Sequence, residues 1–179
     1  MEIQLSTKPE KSWEIPERPW TEFINNFRFD ENTNFTEMTI ANLSSSLMML
    51  HNLKVSLGQY EPEAKRYLDI AKINLENKER KFNEIKSQDL YLLEKNAPES
   101  AKKNKEIYSG YVLDLKRSEY AEIESEIKRL KSKVVEAQRD VNEIYRQLRL
   151  ANDHMEIGKA VMYSLKEELR NLNTQGTYA

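Results

Sequence analysis

The side chains in this 179-residue chain best placed to do chemistry are its cations. Lys102, Lys103 and Lys105 lie close to Tyr108 and Tyr111, Lys128, Arg129, Lys131 and Lys133 follow, and Arg139, Arg146 and Arg149 extend the series. Lysine and arginine hold phosphates, and interleaved tyrosines offer bases a face to stack on, so the pattern suits a single nucleic-acid strand. The same residues also read as a solvated helix face laced by pairs such as Glu124–Lys128 and Glu143–Arg146. Net charge does not decide between the two: it is −2, from 28 basic and 30 acidic residues. Distribution leans one way, with twelve basic against nine acidic residues over 101–150 and five against eight over 1–60.

Catalytic chemistry has little to work with. His51 and His154 stand alone, with no Glu-x-x-His or His-x-x-x-His pairing. The four glycines are scattered at 58, 110, 158 and 176, which leaves no phosphate-cradling loop. Cysteine is absent, so there is no disulfide, thiolate nucleophile or Cys-ligated zinc. The expectation is a binding protein without enzyme activity, cofactor or metal.

The elements that must position these residues are helices. Charged residues make up 32% of the chain, and Gly and Pro together number nine, too few turns for a sandwich or barrel. Residues 36–57 carry Ile40, Leu43, Leu47, Leu50 and Leu57 at helical spacing, with Gly58 as a C-terminal cap and Pro62 opening the next helix. That helix, 62–94, carries Leu68, Ala71, Leu75, Phe82, Ile85 and Leu92, interrupted by Lys78 and Asp89. After the connection around Pro98, a third helix is predicted over 100–172, with a bend, if any, at Gly158. From Tyr120 its a positions include Ile127, Val134, Val141, Leu148, Met155, Met162 and Leu169, and its d positions Leu130, Ile144 and Leu165. No charge enters the seam, which marks a coiled coil. The helix at 62–94 is too short to cover this seam, so the remainder calls for the first helix or a second copy, and a homo-oligomer of unspecified subunit number is expected.

Residues 1–35 differ from the rest, holding Trp13, Trp20, Phe23 and Phe27 among three prolines. They read as an extended strap that packs on the protein's own helices or docks on another protein through those four aromatics. The predicted fold is therefore all-α: a 1–35 strap and a 36–179 domain built as an elongated helical hairpin with a long C-terminal coiled-coil helix. The start, MEIQLSTKPE, lacks a signal-peptide pattern, and no apolar run approaches the ~20 residues that span a bilayer, so a cytoplasmic protein without membrane contact is expected.

The segments EPEAKRYLDIAKINLENKERKF, KNAPESAKKNK and the helix from Glu122 to Leu172 resemble the UvsY-type phage recombination mediators over residues 60–172. The resemblance lies in helix order and texture. It implies a helical ring oligomer that binds single-stranded DNA and loads a RecA-type recombinase, acting in the host-cell cytoplasm if phage-encoded. Two other readings stand beside it: a coiled-coil adaptor or inhibitor that grips a protein target through the strap or a helical surface, and a structural or scaffolding component.

Overall fold

The computed structural model describes residues 18–26, 33–96, 110 and 114–175. All regular structure among them is helical: α1, Trp20–Asn26; a single 3-10 turn, Phe35–Glu37; α2, Ile40–Asn96; and α3, Arg117–Gln175. Helices of 57 and 59 residues, in a chain with 32% charged residues, are held by packing more than by propensity, so the apolar seam decides where they lie.

The break expected at Gly58–Pro62 does not exist: α2 runs through both. The physical reason is register. Leu57, Glu61, Ala64 and Leu68 keep the 3–4 spacing across the proline, and Leu57, Ala64 and Leu68 are all buried. Pro62 removes one backbone donor and its ring crowds the carbonyl four residues earlier, that of Gly58. A Cβ on Gly58 would meet nothing within 4 Å, so that turn has room to open slightly without breaking. Helix α2 starts at Ile40 instead of residue 36, because Thr39 Oγ1 accepts from the Asn42 backbone N–H at 3.3 Å as an N-cap.

Residues 110, 114 and 115 are helical, and the predicted start of the third helix at residue 100 lies outside the described residues. A turn at Lys116 precedes α3, and the Lys116 carbonyl accepts from Tyr120 N at 2.9 Å. Helix α3 passes Gly158 without a break.

The described residues pack as two units, 67–137 in one and 18–66 with 138–175 in the other. In the first, Phe82, Tyr120 and Ile127 form a buried cluster with Leu75 and Ile123 against it. In the second, Phe35, Leu43, Leu50 and Ala151 do so, with Met38, Leu47, Met155, Val161, Met162 and Leu165 around them. Within each unit α2 and α3 run antiparallel. Gly158 lets the helices approach: a Cβ there would sit 2.8 Å from Leu47 Cδ2.

The seam is therefore used within one chain. Leu130, Val141 and Ile144 are buried, Val134 and Leu148 half-buried, and Leu169 exposed. Because α2 is nearly as long as α3, the length mismatch that called for a second copy disappears.

The continuous helix makes a direct prediction. Proline costs about 3 kcal/mol in a helix interior, so Pro62→Ala raises unfolding stability in urea by up to that amount. An unchanged or lowered midpoint would indicate that the helix ends near Gly58.

Candidate nucleic-acid interface

In the 67–137 unit the facing turns of α2 and α3 leave a groove of about 600 Å³. Phe82 and Ile127 contribute its apolar floor, and Asn83, Glu79, Glu124, Lys86, Lys128 and Lys131 its polar lining. Lys131 Nζ pairs with Glu79 at 2.8 Å, and Lys86 Nζ with Glu124 at 3.5 Å. Lys86 also lies over the Phe82 ring, 4.0 Å from its centroid. Lys128 has no ion pair among the described residues, so the groove carries one cation in excess of its carboxylates.

The remaining candidates fall in several places. Arg129, Lys133 and Arg139 have no ion pair among the described residues, and Arg129 and Arg139 are exposed while Lys133 is half-buried. Arg146 makes a two-point contact with Glu143, and Arg149 Nε stands 3.9 Å from Asp153. Glu124 turns to Lys86 across the groove in place of the expected intrahelical Lys128. Lys102, Lys103 and Lys105 lie outside the described residues, as do Trp13 and Phe27. Trp20 is not available for a partner in this arrangement: it is 1% exposed, and its Nε1 donates to Asp140 Oδ2 at 3.0 Å. Phe23 is half-buried and leans on Tyr60, with ring centroids 5.3 Å apart. The described part of the strap is a short helix and a 3-10 turn instead of an extended run. Pro19 stands just before the helix, where its fixed φ favours a helical start.

The shared burial of three polar residues of α3 was missed in the sequence. Asp140, Gln147 and His154 occupy three successive g positions and are all buried, a spacing of seven that could have flagged them. His154 meets Phe35 edge-on, 5.6 Å between centroids, and His51 is exposed. Glu61, Lys65 and Tyr145 form a surface cluster in the other unit. Glu61 is held below the usual carboxylate range by hydrogen bonds from Lys65 and Tyr145, and Lys65 is pushed up by its bond to Glu61. Lys78 pairs with Glu126 and lowers that carboxyl's pKa. Among the described residues no group of three or more His, Asp or Glu side chains could hold a metal ion, and no helix is long and apolar enough to cross a membrane.

Tyr120 supplies a pH test. Its hydroxyl donates to Asp89 Oδ2 at 2.8 Å, and burial, followed by that contact, pushes its pKa up to about 12. Below pH 10 both folded and unfolded chains keep the proton, and the contribution is whole. Between pH 10 and 12 the unfolded chain releases it first, so stability falls as pH rises through that window. Thermal melts across this window should show the loss, and Tyr120→Phe should flatten it. An equally steep loss in Tyr120→Phe would place the titrating group elsewhere.

No protein-family model matches the chain, and no curated protein or solved structure is significantly similar to it.

Proposed function

We propose that this chain is a non-catalytic helical-hairpin protein that binds single-stranded DNA as an accessory of recombination. The observation that supports DNA binding is the groove in the 67–137 unit, where Lys86, Lys128 and Lys131 border an apolar floor and Lys128 is unmatched by a carboxylate. A phosphate on Lys128 could draw Lys86 and Lys131 from their glutamates, while the floor takes base or sugar. Arg129 and Lys133 on the same helix would add contacts outside the groove. The recombination role, the phage context and a RecA-type recombinase as partner rest on the UvsY-type resemblance alone.

Fluorescence anisotropy of a labelled oligothymidylate over a salt series tests the reading. Affinity should fall linearly on log–log axes, and the combined Lys86→Ala, Lys128→Ala and Lys131→Ala protein should weaken binding and lose about one unit of slope per phosphate contact removed. Absence of binding at low salt, or an unaltered slope in the triple variant, would sink it.

A second reading, a coiled coil that grips a protein, is favoured by a different observation. Met48, Met49 and Val55 are exposed on α2, in a stretch from 38 to 60 whose one charged residue is Lys54. Such a face suits a protein surface better than a polyanion. Met48→Glu with Met49→Glu should leave DNA binding intact and abolish partner capture if that reading is right.

A further inference from the structure

The side of α3 that bears Asp140, Gln147 and His154 is polar and buried together, an arrangement that costs free energy unless each group is matched. In the second unit, residues 18–26 and Phe35 meet this side at two points, the first of them hydrogen-bonded. At one, Arg18 Nε at 3.1 Å, Arg18 Nη2 and Trp20 Nε1 at 3.0 Å all donate to a single atom, Asp140 Oδ2. At the other, fourteen positions along α3, Phe35 meets His154. Phe23 against Tyr60 ties the same segment to α2. Helix α1 has seven residues, well below the length at which an isolated helix persists in water, so its order depends on this docking.

An apolar residue at 140 would clasp Trp20 through packing alone. A carboxylate does otherwise. A buried ion pair adds little over an apolar pair of like size, yet losing one partner strands the other charge, so attachment becomes conditional on both being present. The Arg18 side chain retains 22% of its accessible surface while that of Asp140 retains 7%, which leaves the pair open to solvent from the strap side.

We propose that residues 18–26 form a releasable strap latched by Asp140, which stows Trp20 and Phe23 against the helices and frees them when the Arg18–Asp140 pair is broken. Released, the two aromatics are anchors of the kind that dominate protein interfaces, so the latch decides when the segment can engage another protein. The helices beneath keep their seam, because none of the a or d positions depends on the strap's charge pair.

The experiment uses the full chain with Trp13→Phe, so that Trp20 is the sole tryptophan. Breaking the pair should shift the docked-to-free ratio by on the order of a hundredfold. Asp140→Asn and, separately, Arg18→Gln should therefore red-shift Trp20 emission and raise its quenching by iodide, with helicity by circular dichroism unchanged. Arg18→Lys, which keeps the charge, should restore part of the shielding. If Trp20 stays shielded in both variants, the pair is not the latch. If helicity falls together with shielding, Asp140 is a core residue of the helical fold, and the proposal fails.

Discussion

A 3–4 repeat carried by two helices of nearly equal length, free of charge on α3 and broken by four charged residues on α2, is the constraint on which everything else in this structure depends. On α2 the row runs Ile40, Leu43, Leu47, Leu50, Lys54, Leu57, Glu61, Ala64, Leu68, Ala71, Leu75, Lys78, Phe82, Ile85, Asp89 and Leu92. On α3 it runs without a charge from Tyr120 to Leu172. Neither helix could hold its length without the other's stripe, since burial of such a face is what stabilises a long helix in a protein. The groove, the strap site and the surface ion pairs are all placed by that pairing.

The charged residues in the α2 row fix which turn meets which. A purely apolar seam tolerates slippage by a heptad, and polar insertions restrict it. Lys78 is met by Glu126, Asp89 by the Tyr120 hydroxyl, and Glu61 by Tyr145. Each partner lies on α3, and moving either helix by one heptad would separate all three pairs. The partly exposed Lys78–Glu126 pair is worth little by itself, from nothing to about 1 kcal/mol, and the effect of these pairs is on register more than on stability. Small residues play the complementary part: Gly158 admits Leu47 at a distance no larger residue would permit without displacement.

The all-α fold and the α3 seam were legible because no polar residue interrupts the repeat, and Ile127, Leu130, Val141 and Ile144 are buried as the spacing implies. Helix α2 was misread because Gly58 and Pro62 are strong local punctuation, while the row that overrides them passes through Glu61, which looks like a break until its partner Tyr145 is seen. The candidate interface was legible in part. Lys128 and Lys131 stood out by charge, but Lys86, Phe82 and the pairing of Glu79 and Glu124 across the groove require the antiparallel register to be known. The strap site was hidden for a similar reason. Asp140 and Arg18 are 122 residues apart, and no local pattern couples them.

That separation has a consequence for how the chain is made. Contacts between the end of α2 and the start of α3 close the shortest loops and are entropically the cheapest to form, so pairing of the two helices is expected to zip from there outward. The strap leaves the ribosome before its acceptor Asp140, 120 residues later than Trp20, and Phe35 before its partner His154. At synthesis rates of about 5–20 residues per second, Trp20 and its neighbours spend on the order of ten seconds with nothing to dock on. Over that interval Trp20 and Phe23 are exposed to chaperones and to other chains, and they are put away only after α3 has followed.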